Sequence, residues 1–340
     1  MSVIDLKALP AWLAAHAGLS GVSVVRELGG GNANMTLLLD SDDGRLVLRS
    51  PPANAVSENA NRGIEREGRV LRALAGRARV PDFIAWCEDP SVIGSPFLVA
   101  RYVDGVSLTE KLPDSYPDNV ETINRLGEDL TSQLAKVHRL PWKEIGLADF
   151  GRPDDFLQRQ VTRWRDVRRK DSVRPLPLLD SLADWLLDNL PPSHPGALTH
   201  GDYHLDNTLC FTDRPGVAAI IDWELATIGD PCADIALLLM FWGDRRYADP
   251  PAFPHVQKVS RRAGVHSRRA LAELWSHETG FSLAHIDYYL CFAFWRLAAI
   301  VEGAYVLYRR GSVDTEYARG LEQDVPSLLQ EAAAAANGEW

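Results

Sequence analysis

The sequence predicts an α+β fold in two lobes, a small antiparallel-sheet lobe followed by a larger, mainly helical one. Three observations carry that expectation. Residues 22–49 alternate apolar and polar side chains around turn signals, the period of half-buried strands. Beyond Gly105 the apolar residues recur at three- and four-residue intervals, the period of helices. The chain has 340 residues, more than one simple core organises. The expected division is 1–104 for the sheet lobe and 105–340 for the helical lobe, with the joint near Val103–Gly105.

The opening segment MSVIDLKALPAWLAAHAG reads as a short amphipathic helix. It lacks a basic start and an uninterrupted apolar stretch, so a secretory leader is not expected. VSVVREL predicts a strand and GGGNANM a glycine-rich turn. TLLLDSDDGRLVLRS predicts two strands joined at Ser41–Gly44, with Asp43-Gly44 as the hairpin signal. Residues 58–75 space Ile64, Val70, Leu71 and Leu74 as a helix does. VPDFIAWCED and SPFLVARYVDG predict two further strands. In the second lobe GEDLTSQLAKVHRL, DDFLQRQVTRWRDVRRK and LLDSLADWLLDNL have helical period. ALTHGDYHLDNTLCF and GVAAIIDWELA supply short strands beside polar loops, and helices dominate from Cys232 onward. Arg296 and Glu302 interrupt the apolar run Tyr288–Tyr308, which favours a buried helix over a membrane span. The tail EAAAAANGEW is expected to fray.

A net charge of -10 argues against non-specific binding to nucleic acid, and no membrane partner is expected. Cys87, Cys210, Cys232 and Cys291 form no CxxC pair. Reduced thiols in a cytoplasmic protein are the expected state.

The densest chemistry lies in THGDYHLDN, residues 199–207. On a strand, His200, Asp202 and His204 would share one face, a donor set that suits zinc or iron in a metal-dependent hydrolase. No second histidine cluster downstream completes such a site. A phosphoryl-transfer reading uses more of the residues. Kinase-type catalytic loops place an Asp five residues before an Asn; the Asp receives the hydroxyl proton and the Asn holds magnesium. Asp202 and Asn207 have that spacing, and Asp222, in IIDWE at the end of the apolar strand VAAII, supplies the second metal carboxylate.

The sheet lobe offers a nucleotide site in the same order. Gly29, Gly30, Gly31, Asn32 and Asn34 lie in the turn between two strands, where a loop covering phosphates belongs. Arg49 stands on LVLR where kinase-type VAIK strands carry a lysine, and Glu67 on the next helix is its natural partner.

These motifs together resemble the aminoglycoside phosphotransferase family, a branch of the protein-kinase-like fold. HGDYHLDN resembles its HGDxxxxN loop, IIDWE its metal-binding segment, and GDPCADIALL the segment that follows. VLRSPP, CEDPSVIGSPFLVARYVDG, RQVTRW and DWELATIGDP resemble the branch related to kinase domains of acyl-CoA dehydrogenase fusion proteins. The resemblance implies a bilobal fold with ATP or GTP between the lobes and magnesium on Asn207 and Asp222. It implies Asp202 as catalytic base, Arg49 with Glu67 as the nucleotide-anchoring pair, and the backbone of Arg101 to Val103 against the purine. It also implies a structural role for His200 and a bracing role for Asp230, as an N-cap, and for Asp234. The chain departs from the branch at Ala33, where a serine is usual, and from wider kinases in carrying Arg49 for lysine, though arginine also occurs in this family. A nucleotide-binding pseudokinase is the reading those departures would favour.

The expected acceptor is a small molecule with a hydroxyl, since Asp222 is followed by Trp-Glu and no long peptide-docking segment precedes IALLLMFW. An aminoglycoside-type antibiotic is a polycation and wants an acidic pocket. Here QRQVTRWRDVRRKDSVR carries seven basic residues against two acidic ones. An anionic or CoA-linked acceptor is therefore expected, with Arg163, Arg168 and Arg169 as its contacts.

Overall fold

The computed structural model describes residues 5–28, 34–51, 58–243 and 256–340. Helix α1 (Leu9–Ala17) precedes strands β1 (Ser23–Glu27), β2 (Met35–Asp40) and β3 (Leu46–Ser50). Helix α2 (Glu58–Leu74) and strands β4 (Phe83–Cys87) and β5 (Phe97–Arg101) follow. The strands form one antiparallel sheet in the order β1-β2-β3-β5-β4. The β2–β3 hairpin turns as its sequence demands: Gly44 has φ 103°, open to glycine, and its N–H donates to Ser41 O at 3.0 Å.

The two-residue period of β3 decides what the sheet buries. Leu46 and Leu48 point into a small core with Leu9, Leu13, Leu37, Leu39 and Phe97, under α1. Val47 and Arg49 point the other way and line the cleft between the lobes. Helix α2 packs Ile64, Val70, Leu71 and Leu74 with Leu98 and Ala100 into the large core that continues through the second lobe.

That lobe contains α3 (Val120–His138), α4 (Phe156–Lys170) and α5 (Pro177–Asp188), then β6 (Ala197–Thr199), β7 (Thr208–Cys210), β8 (Val217–Ile220) and β9 (Thr227–Gly229). Helices α6 (Pro231–Phe241), α7 (Arg268–Thr279), α8 (Ile286–Arg309) and α9 (Glu316–Ala336) complete it. β6 pairs with β9 and β7 with β8, both antiparallel. Asn119 caps α3 by accepting from Thr122 N at 2.9 Å, so that helix begins before the GEDL segment that its apolar period marks. Strand β9 has three residues, too few to show a period.

Helix α8 is the one helix among the described residues long and apolar enough to cross a membrane, with a mean hydropathy of 1.6, but 67% of that window is buried inside the protein. It packs against α4, α5, α6 and α9. The C-terminal tail differs from expectation. α9 continues to Ala336, with Ala332, Ala334 and Ala335 buried, because small side chains let it lie close along α8. Beyond it Trp340 Nε1 donates to Asp287 and the Trp340 ring stacks under Arg269 at 4.6 Å. All four cysteines are free and buried.

Candidate active site

β6 ends at Thr199, and the chain leaves the strand direction at once. Gly201 has φ 87°, and a Cβ there would lie 2.7 Å from Leu225 O, so the turn requires glycine. His200, Asp202 and His204 therefore do not share a strand face, which removes the geometric premise of the zinc or iron reading. Among the described residues, no group of three or more His, Cys, Asp or Glu side chains could hold a metal ion. His200 is fully engaged: Nε2–H donates to Ile221 O at 2.8 Å and Nδ1 accepts from Asp202 N at 3.3 Å. Asp234 holds the same turn from below, accepting from His200 N at 2.5 Å and Gly201 N at 2.9 Å. Behind it Trp275 Nε1 donates to His138 Nδ1 at 3.0 Å, which leaves the His138 Nε2 proton facing Asp234 at 3.4 Å. Asp230 caps α6 through Cys232 N and accepts from Tyr289 Oη at 2.7 Å.

The five-residue step from Asp202 to Asn207 closes into a tight turn. Asn207 Nδ2 donates both to Asp202 O at 2.8 Å and to Asp202 Oδ2 at 2.9 Å. That orientation leaves Asn207 Oδ1 as an acceptor for a cation. Ile221 N donates to Asn207 O at 3.1 Å, which brings the loop after β8 alongside. Asp222, next in sequence, sits in the left-handed region at φ 66°, an uncommon conformation for a residue with a side chain. Asn207 and Asp222 both line the interlobe cleft, and their oxygens are the hard donors magnesium takes.

Burial would raise the Asp202 carboxyl, but the hydrogen bond and charge of His204, with His200 and Asn207, outweigh it and lower the pKa to about 2. The side chain keeps 41% of its surface open, so an ionised oxygen faces solvent beside Asn207, which lines the cleft. Gln257 fixes the loop from behind. Its Oε1 accepts from Leu205 N at 2.6 Å and its backbone N donates to Asp206 Oδ1 at 3.2 Å. No sequence signal marked Gln257, since it lies far from the motif and in no periodic segment.

From the sheet lobe, Arg49 Nη1 donates to Glu67 Oε1 at 2.5 Å and Nη2 to Asp222 Oδ1 at 2.9 Å. Burial works against the Arg49 charge, but Glu67 and Asp222 outweigh it and hold its pKa above the ordinary value. Glu67 is deeply buried and its Oε2 has no partner, so burial pushes its pKa up to about 7 in spite of Arg49. The 2.5 Å contact to a guanidinium that stays charged favours the carboxylate form. Asn34 Nδ2 donates to Glu224 Oε2 at 2.7 Å, a second interlobe contact. Arg66 donates from Nε to Ala226 O at 2.9 Å, anchoring α2 to the helical lobe. Gly29, Gly30, Gly31, Asn32 and Ala33 lie outside the described residues.

The cleft holds about 400 Å³ and includes Arg101, Tyr102 and Val103. Arg101 Nη1 is tied back to Asp43 O at 2.7 Å, so the purine-facing candidates on this segment are backbone groups.

The basic helix divides. Arg163 is exposed, its guanidinium over the Trp164 ring at 5.3 Å. Arg169 pairs with Asp180 at 2.7 Å, and both Arg168 and Arg169 line a separate hollow that shares no residue with the cleft. Sequence reading noted Arg296, on α8, only as an interruption of an apolar run. Its Nε is buried without a hydrogen-bond partner. Burial lowers its pKa against the pull of Asp202 and Asp234, and Arg163 repels it. Arg296 thus places positive charge beside the catalytic loop; its signal was a cation inside an apolar run.

Two lobes around a cleft, an Asp–Asn turn and a carboxylate on the next loop define a kinase-like phosphotransferase. The chain belongs to the phosphotransferase enzyme family, whose model matches residues 24–252. Mouse acyl-CoA dehydrogenase family member 10 is 31% identical over 283 residues, which is 81% of this chain and 26% of that protein's length. The chain thus spans about a quarter of that relative. A putative aminoglycoside phosphotransferase from Ralstonia eutropha superposes with a TM-score of 0.84 at 29% identity, covering 98% of this chain and 99% of the other. The GDP complex of aminoglycoside 2'-phosphotransferase-IIIa shares the fold at 18% identity, with a TM-score of 0.62 over 98% of this chain and 99% of that one.

Proposed function

We propose that this protein transfers the γ-phosphoryl group of ATP or GTP to the hydroxyl of a small anionic acceptor in the cytoplasm. A hydroxyacyl-CoA is the leading candidate. The single observation that carries the catalytic part is the junction of two networks in one cleft. Glu67–Arg49–Asp222 crosses it from the sheet lobe, and Asp202–Asn207 stands beside it on the helical lobe. In this reading the nucleotide lies between residues 1–104 and 105–340. The loop Gly29 to Asn34 covers its phosphates, the backbone at Arg101 and Val103 meets the purine, and Arg49, held by Glu67, binds phosphate oxygens.

A magnesium ion held by Asn207 and Asp222 would neutralise phosphate charge and orient the nucleotide. Asp202 accepts a hydrogen bond from the acceptor hydroxyl. As that oxygen bonds to the γ-phosphorus, the bond to the nucleoside diphosphate breaks and the hydroxyl proton passes to Asp202 Oδ. With a pKa of about 2 Asp202 is a weak base, so its main work is to orient the hydroxyl until the proton is acidified late in the transfer.

Arg296 and Arg163 support the anionic acceptor: a cation with an unpaired Nε, within electrostatic reach of the base, favours a substrate that brings negative charge. The mouse relative's acyl-CoA dehydrogenase name supports an acyl-CoA frame. The deciding experiment measures nucleotide consumption with hydroxyacyl-CoAs, other hydroxylated acids and kanamycin as acceptors. Asp222→Ala serves beside it as a control for magnesium–nucleotide binding by calorimetry. Turnover of a hydroxyacyl-CoA that exceeds kanamycin supports the reading. Efficient kanamycin turnover without response to any CoA ester overturns the acceptor, and unchanged nucleotide affinity in Asp222→Ala overturns the metal assignment.

A further inference from the structure

A hollow of about 250 Å³ lies among α4, α5 and α8, away from the catalytic cleft. Three arginines and three carboxylates line it, and their pairing is uneven. Arg174 grips Glu302 with two hydrogen bonds, Nε to Oε1 at 3.0 Å and Nη2 to Oε2 at 2.6 Å. Arg169 pairs with Asp180 at 2.7 Å, and Arg310 reaches in to Asp171 at 2.5 Å. Each carboxylate therefore has its own arginine. Arg168 is left over.

Arg168 is 8% exposed, and neither its Nε nor its Nη1 has a hydrogen-bond partner. Its guanidinium lies against Gly303 of α8, where an added Cβ would stand 3.5 Å from Nη1 and Nη2. A buried guanidinium with two unpaired donors is expensive, and natural proteins seldom leave one so. The carboxylates nearby are committed to their own arginines, so the hollow keeps one uncompensated positive charge.

We propose that this hollow is a binding site for a small oxyanion, a phosphate or carboxylate group, with Arg168 as its principal ligand. An oxyanion held against the Arg168 guanidinium cancels the remaining charge, and a hollow of 250 Å³ has room for a phosphate with a short organic substituent. The assignment does not depend on which acceptor the catalytic cleft takes.

The test compares wild type with Arg168→Met by thermal melting in anion-poor buffer. The thioether keeps much of the packing while removing the charge. Inorganic phosphate, glycerol 3-phosphate and succinate are titrated separately. The wild type should be stabilised by at least one of them, and Arg168→Met should need about tenfold more of that anion for the same shift. Response to inorganic phosphate identifies a free ion as sufficient. Response to glycerol 3-phosphate alone identifies an organic phosphate, and response to succinate alone a carboxylate; each supports the site. Equal responses of wild type and variant place the anion elsewhere and overturn it. A wild type that responds to none of the three overturns it as well. If Arg168→Met fails to fold, Arg168→Gln takes its place with the same expected loss of response.

Discussion

Arg49 of β3 donates to Asp222, on the loop after β8, at 2.9 Å, while its other terminal nitrogen meets Glu67 at 2.5 Å. One guanidinium thus joins the sheet lobe to a carboxylate that the proposed magnesium would also use. Phosphate oxygens compete for Arg49, and a cation competes for Asp222, so nucleotide and metal should each release the other's ligand.

The three residues should therefore act as one unit. Arg49→Ala is expected to lower kcat/KM for nucleotide by about ten- to a hundredfold. Glu67→Ala should do the same more mildly, since its part is to hold Arg49. The double variant should be no worse than Arg49→Ala alone, because the second change removes a partner already idle. Steady-state kinetics of the four proteins decides this, and additive losses in log kcat/KM would show that the two side chains work independently.

Asp202→Asn should remove turnover by roughly a hundred- to ten-thousandfold while leaving nucleotide affinity and melting temperature near wild type. The amide keeps the shape and the contact with Asn207 but cannot take the proton. Because the wild-type carboxyl titrates near 2, Asp202 stays ionised at working pH, and any acid limb of kcat near neutrality must come from another group. Near-normal turnover by the variant would remove Asp202 from the chemistry.

His204 gives a pH signature with a definite sign. Burial lowers its pKa, but Asp202, Asp206 and Asp222 outweigh burial and raise it above the ordinary 6.5. A raised histidine stabilises the fold fully below its unfolded pKa, and that contribution is lost as pH rises through the folded value. Wild type should therefore lose melting temperature relative to His204→Gln as pH is raised from about 6 to about 9. Parallel profiles for the two proteins would mean that His204 does not change charge in this range. The same proton release frees Asp202 Oδ1, which lies 3.7 Å from His204 Nε2, so kcat should rise over the interval in which stability falls.

Much of this architecture was legible because local signals agreed. Asp43-Gly44 set the hairpin, the two-residue period of LVLR turned Arg49 to the cleft, and the five-residue step to Asn207 closed as a loop. The failures share a cause: they depend on partners distant in sequence. The alanine tail looked free because nothing local shows that α8 offers a surface for it. On a strand His200, Asp202 and His204 would share a face, but Gly201 turns the chain, and His200 takes the structural role that the resemblance implied, donating to Ile221 O. Gln257 and Arg296 reach the catalytic loop from other segments, so neither belongs to a motif. The basic helix read as one acceptor surface, yet helical rotation sends Arg163 and Arg168 to different sides, and α5 supplies Asp180 and Asp184 to pair with Arg169 and Arg165.

Arg296 should govern acceptor recognition more than phosphoryl transfer itself. The low pKa of Asp202 is set by His204, His200 and Asn207, so removing Arg296 leaves the base ionised. What disappears is a cation whose Nε is buried and unpaired and whose charge interacts with Asp202. Arg296→Met should raise KM for an anionic hydroxy compound by about ten- to a hundredfold, with kcat and nucleotide KM changed far less. Arg296→Lys should recover part of the loss, since it restores the charge without the planar fork. A neutral alcohol of similar size should show no such penalty, and with that substrate the Met variant should equal or exceed wild type. Raising salt should weaken binding of the anionic acceptor less than an exposed ion pair would allow, because Arg296 is screened from solvent. An equal KM change for neutral and anionic acceptors would reduce Arg296 to a packing residue and take away the electrostatic reason for an anionic substrate.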